Sequence, residues 1–135
     1  MITAVDSSVI LDVLAGTGNF AGVSEGALKA ADGEGKLIIC ECVLAEIYLS
    51  INNEDMFREF LSDWKLVYVP SSKESALLAG KYFALYLSRG GPNKQIIPDF
   101  LIGAHAFYHG DRLLARDRGY LREYFDGLKV WDPSC

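Results

Sequence analysis

The sequence predicts an α/β protein, a three-layer α/β/α sandwich around a central, mostly parallel sheet. Two observations lead there. Short apolar segments of strand length recur along the chain, and residues at helical spacing fill the stretches between them. Strands alternating with helices form βαβ units, and the parallel sheet they build is covered on both faces. Size supplies a third constraint: 135 residues, half of them hydrophobic, make one domain spanning 1–135, with no room for a second core.

The elements follow in order. Ile2 to Val5 reads as a short buried strand running into Asp6-Ser7-Ser8, where Ser7 or Ser8 is expected to cap a helix opening at Val9. Gly16 and Gly18 stop that helix. A weaker, Ala- and Gly-rich helix occupies 20 to 32 and ends in the turn Asp32-Gly33-Glu34-Gly35. Leu37 to Cys40 is a continuous apolar run, so a second strand, followed by a helix from Glu41 to Ile51 with Val43, Ile47 and Ile51 four apart. From Asn53 a further helix sets Met56, Phe57, Phe60 and Leu61 on one stripe. Leu66 to Val69 is a strand closed by Pro70, and Ser71 or Ser72 caps a long helix reaching Ser88. Arg89 to Asn93 is a loop, and Pro98 opens a helix through Tyr108 that Gly110 terminates. Leu113 to Ala115 is a strand, Arg118 to Phe125 a short helix, and Leu128 to Val130 a last strand.

Composition narrows the function. A net charge of −5 argues against a module that grips nucleic acid through a basic surface, yet suits a carboxylate cluster that is neutralised when it holds cations. Cys40, Cys42 and Cys135 are too few for a disulfide framework, and a Cys-x-Cys pair falls short of a tetrahedral zinc set. The apolar runs are too short for a membrane span, and Met1 leads straight into the first strand without a signal-peptide pattern. A cytoplasmic protein is expected.

In open α/β sheets, function gathers at the carboxyl ends of the strands. Asp6 and Asp117 each follow a strand and precede a helix. Asp99 stands in the first turn of its helix, where the dipole favours a negative charge, and Glu46 lies in the helix after the second strand. Taken singly, each has an ordinary explanation as a cap, a first-turn acid or a solvated helical residue. Taken together, four carboxylates suit one or two hard cations such as Mg²⁺ or Mn²⁺, and phosphodiester hydrolysis needs no histidine pair when an ion activates the water.

These residues also resemble a known family. Val5-Asp6-Ser7-Ser8-Val9-Ile10-Leu11-Asp12-Val13-Leu14 is similar to the opening of a PIN domain, and Leu44-Ala45-Glu46-Ile47-Tyr48 to the segment that carries the family's conserved Glu. Pro98-Asp99-Phe100-Leu101-Ile102-Gly103-Ala104-His105-Ala106 and Leu113-Leu114-Ala115-Arg116-Asp117-Arg118-Gly119-Tyr120 resemble its two most specific motifs. The resemblance covers essentially the whole chain and is strongest to the VapC-type toxins of prokaryotic toxin–antitoxin pairs. It implies an endoribonuclease dependent on Mg²⁺ or Mn²⁺, with Asp6, Glu46, Asp99 and Asp117 as metal-holding catalytic acids. It also implies a homodimer and a small antitoxin whose tail enters the acidic groove. One departure stands out: the family often carries Thr or Ser two residues before the last Asp, and this chain has Ala115, whose missing hydroxyl could be replaced by water or by Ser7 or Ser8.

Other features read more plainly. His105 and His109 share a helix face, but their apolar neighbours favour packing over zinc. Arg89, Lys94, Arg112, Arg116 and Arg118 are expected on loops around the acids, with Ser7, Arg116 and Arg118 the best candidates for substrate contact. Tyr82, Phe83, Tyr86 and Leu87 form a stripe suited to the core or to a partner. Against the nuclease stand a PIN-like domain that binds RNA or protein without cutting, and a phosphatase or receiver domain. A dehalogenase-type phosphatase would want Asp where Ser8 stands, and a receiver would want paired acids near the first strand.

Overall fold

A computed structural model of the chain describes residues 1–91, 97–116 and 123–135. Its elements alternate as the sequence requires: β1 (Ile2–Val5), α1 (Ser7–Ala15), α2 (Ala21–Glu34), β2 (Lys36–Ile39), α3 (Glu41–Ile51), α4 (Glu54–Asp63), β3 (Leu66–Tyr68), α5 (Lys73–Ser88), α6 (Ile97–His109), β4 (Arg112–Leu114) and β5 (Val130–Trp131). All pairings in the sheet are parallel, in the order β3-β2-β1-β4-β5. This is the α/β/α sandwich the periodicity predicts.

The order decides where a site belongs. From β1 the chain winds outward to β2 and β3, then crosses back to β4 and continues to β5. Right-handed crossovers put α1–α4 on one face and α5 and α6 on the other. The winding reverses between β1 and β4, and a crevice opens outside the carboxyl ends of strands at such a reversal. Val5 pairs with Leu114 at this point, and the next N–H along, that of Asp6, donates to the Leu114 carbonyl at 2.9 Å.

The strands are short because they are buried. Ala4, Val5, Leu37, Ile38, Ile39, Leu113 and Leu114 are each at most 2 % exposed, so only apolar side chains with strand propensity fit there. On the α5–α6 face the stripe predicted on the long helix packs inward. Phe83 and Tyr86 lie against Phe100 at ring-centroid distances of 5.5 and 5.7 Å, and Tyr82 meets Phe125 edge-on at 5.0 Å. The stripe is core.

Several expectations need correction. The first helix begins at Ser7, not Val9, and its cap is Asp6, whose side chain accepts from the Ser8 N–H. The second runs on through Asp32-Gly33-Glu34, and the chain turns only at Gly35. Met56 is 59 % exposed, while Phe57, Phe60 and Leu61 pack against the core, so the apolar stripe of α4 is narrower than drawn. The helix expected over Arg118 to Phe125 lies largely outside the described residues. Among those described, no helix is long and apolar enough to cross a membrane.

Candidate active site

Asp6 is placed by two constraints. Its backbone continues the β1–β4 ladder, and its extended conformation (φ −79°, ψ 152°) makes it the N-cap of α1. One carboxylate oxygen, Oδ2, accepts from the Ser8 backbone N–H at 3.1 Å and from the Ser8 hydroxyl. That hydroxyl in turn accepts from the backbone N–H of Arg116 at 3.2 Å. Ser8 therefore joins the two strand ends at the reversal point, and it is the hydroxyl that meets Asp6. Ser7, singled out for substrate, is only 7 % exposed.

Asp99 stands in the first turn of α6, partly buried. α6 precedes β4 and so runs against the strands, which sets its first turn at the same sheet edge as Asp6. Its neighbour Phe100, 1 % exposed in the aromatic cluster, holds that turn against α5 through Phe83 and Tyr86. Glu46 lies midway along α3, also partly buried, and α3 packs against both α1 and α6. The elements carrying three of the four predicted acids are thus linked through α3, which touches both α1 and α6. The fourth, Asp117, lies outside the described residues, as do Arg118 and Lys94.

The basic residues divide. Arg116 directs Nε and an Nη at the two oxygens of Asp12, at 2.9 and 3.0 Å, and its guanidinium lies 4.5 Å from the Phe20 ring centroid. Arg89 pairs with Glu123 at 3.9 Å. Arg112 does not border the acids: it opens β4 at the amino edge, bonded to Glu34 at 2.6 Å and to the Thr3 hydroxyl at 3.0 Å, with Trp131 against its guanidinium. The strand direction, which the loop-based reading ignored, puts it there.

Two further groups carry unusual proton affinities. His105 is buried, and its Nε2 lies 2.7 Å from the Val69 carbonyl oxygen. Burial holds its pKa below the ordinary imidazole value. Glu41 is held below the usual carboxylate range. Burial alone would raise it, but that is outweighed by hydrogen bonds from its own backbone and from the N–H and hydroxyl of Ser71. His105 is thus a packing residue tying α6 to the end of β3, as its apolar neighbours suggested.

Asp12 and Ser24, which the sequence reading passed over, complete the arrangement: Ser24 donates to Asp12 Oδ2 at 2.7 Å. The signal available was an acid interrupting the apolar run Val9-Ile10-Leu11-Asp12-Val13-Leu14.

The PIN domain family model matches residues 3–125. The chain belongs to this family. Among solved structures, the PIN domain described here is similar to a chain of VapBC-1 from nontypeable Haemophilus influenzae, with a TM-score of 0.73 at 16% identity over 100% of both chains. It is also similar to one of FitAcB from Neisseria gonorrhoeae (TM-score 0.71, 19% identity, 99% of each chain). A third similarity is to VapBC2 from Rickettsia felis, solved bound to a promoter DNA fragment (TM-score 0.71, 16% identity, 97% of this chain and 98% of that one). At these identities the likeness is one of fold. No curated protein matches the sequence.

The donors suit a hard cation, since Asp6 at the β1–β4 edge and the other predicted acids offer carboxylate oxygen. Among the described residues, no three His, Cys, Asp or Glu side chains stand close enough together to hold an ion. The described residues alone do not form a complete set, and Asp117 is not among them.

Proposed function

We propose that this PIN domain is an endoribonuclease dependent on Mg²⁺ or Mn²⁺, and the toxin of a type II toxin–antitoxin pair. One observation carries the reading. At the point where the winding of the sheet reverses, a carboxylate is held by two donors on one oxygen. Family membership supports the chemistry, and the toxin–antitoxin complexes among the structural neighbours support the biological setting.

Asp6, Asp99, Asp117 and Glu46 would hold the ion and orient the attacking water. When bound, the ion supplies a water of lowered pKa and positive charge opposite the leaving oxygen. The protein's own part is to fix the carboxylates before RNA arrives, so that no reorganisation is required during reaction. Ser7, Arg116 and Arg118 are the candidates for substrate contact, and Arg118 lies outside the described residues. The reading carries with it a single domain over 1–135, a homodimer, a small antitoxin that enters the acidic groove, and a cytoplasmic location.

Incubating purified protein with RNA and Mg²⁺ or Mn²⁺ is expected to give cleavage that stops in chelator. Asp6→Asn and Asp99→Asn should each lower the rate on the order of 100-fold or more. Cleavage that persists in chelator, or in both variants, would overturn the assignment. A second reading, a PIN-like domain that binds RNA or a protein without cutting, rests on Ala115, which is fully buried and has no hydroxyl to offer. Absence of Mn²⁺ binding at millimolar concentration would favour it.

A further inference from the structure

We infer that Arg116 is a positioning residue rather than a phosphate contact. Together with Asp12 and Ser8 it forms a relay that sets the Asp6 carboxylate for its ion. The inference rests on the metal-site reading above and adds residues to it.

The relay can be followed atom by atom. Arg116 is the second residue beyond β4, and its backbone N–H donates to Ser8 Oγ at 3.2 Å. A hydroxyl that accepts there has its own hydrogen directed elsewhere, and here it goes to Asp6 Oδ2. The β4–β5 ladder already holds the chain at Ala115, whose N–H donates to the Trp131 carbonyl at 3.0 Å, and the Arg116 side chain adds a second anchor. The guanidinium makes a two-bond pair with Asp12 at 2.9 and 3.0 Å, a geometry that fixes orientation as well as distance. Asp12 is held in its turn by Ser24 Oγ at 2.7 Å, and the other side of the guanidinium is covered by Phe20 at 4.5 Å. The pair is only partly open to water, with side-chain exposures of 32% for Arg116 and 13% for Asp12, so it is screened less than a surface pair. A guanidinium gripped on both carboxylate oxygens and stacked on a ring is poorly placed to reach for a phosphate. The residue after it in sequence is Asp117.

Charge alone and positioning predict opposite signs for Arg116→Ala, which makes the inference testable without RNA. If only local charge mattered, Asp12→Asn would weaken cation binding and Arg116→Ala would strengthen it. If the relay sets Asp6, both variants weaken it, and so does Ser8→Ala. Removing partners that orient a ligand typically costs roughly 10- to 100-fold in metal affinity.

The experiment is Mn²⁺ titration by calorimetry on the full chain, with thermal melting of each variant to establish that it is folded. Asp6→Asn serves as the reference for the metal site. The expected result is a loss of about tenfold or more in Mn²⁺ affinity for Ser8→Ala, Asp12→Asn and Arg116→Ala, with recovery in Ser8→Thr, which restores the hydroxyl. RNA binding without divalent ions should be retained in both Asp12→Asn and Arg116→Ala. Tighter Mn²⁺ binding in Arg116→Ala, or unchanged binding in Ser8→Ala and Asp12→Asn while Asp6→Asn abolishes it, overturns the relay. Loss of metal-free RNA binding in Arg116→Ala alone makes it a phosphate contact and also overturns it. If Asp6→Asn itself leaves Mn²⁺ binding intact, the metal-site reading fails first, and the relay with it.

Discussion

At position 105 an imidazole is 1 % exposed, and facing a carbonyl oxygen its Nε2 must carry the proton. Burial lowers its pKa most, with the His109 ring adding to the effect, while the Val69 carbonyl and Glu41 oppose it. The sign follows from the depressed value. Stability is complete above the unfolded imidazole pKa of about 6.5 and falls as pH drops through that value towards the folded one. Glu41, also depressed, adds stability that is present above the unfolded carboxylate value and is lost only at lower pH, as its folded value is passed. Urea unfolding followed between pH of about 7.5 and about 5 should show the midpoint declining, and His105→Gln should flatten that decline. Phe100 belongs to the same scale. It is 1 % exposed among Phe83, Tyr86, Tyr124 and Phe125, so Phe100→Ala should cost about 3–5 kcal/mol in the same assay. Because Asp99 is its neighbour, the loosened turn should lower cleavage as well.

Among the elements, α3 was legible in the sequence to the residue, because its apolar spacing is regular and Asn52 closes it in the left-handed conformation at φ 52°. The start of α1 was not, since Asp6, Ser7 and Ser8 are all good caps and only the tertiary position of Asp6 at the end of β1 decides among them. The site shows the same division. Strand–acid–helix patterns mark Asp6, and the helix start marks Asp99, since both signals are local. The Asp12–Arg116 pair joins residues 104 apart, and nothing local says which of several arginines will find which acid. Ser8 was seen as a possible replacement hydroxyl, but its partner could not be named. A further consequence concerns the α2–β2 turn. Gly35 has φ 157°, and a Cβ there would fall inside the Met1 carbonyl, which accepts the first β1–β2 hydrogen bond from Lys36 at 3.0 Å. Gly35→Ala should therefore cost at least about 1 kcal/mol, read from the urea midpoint, by forcing the two strands apart at their origin.

For the whole molecule, an ion that binds only the folded state must stabilise it. Mn²⁺ at about 100 times its dissociation constant should raise stability by about 2.7 kcal/mol, seen as a higher melting temperature that chelator reverses. Asp6→Asn should abolish the rise while leaving the fold intact, because Asn caps a helix about as well as Asp. β1 sits in the middle of the sheet between β2 and β4, and the bond that seats Ser8 against Arg116 spans 108 positions. On a ribosome, then, the acid at position 6 has only its local bonds to Ser8, and Ser8 itself goes unbraced until residue 116 has cleared the exit tunnel. On the ribonuclease reading, a nascent chain built this way stays harmless to the message being translated for most of its own synthesis.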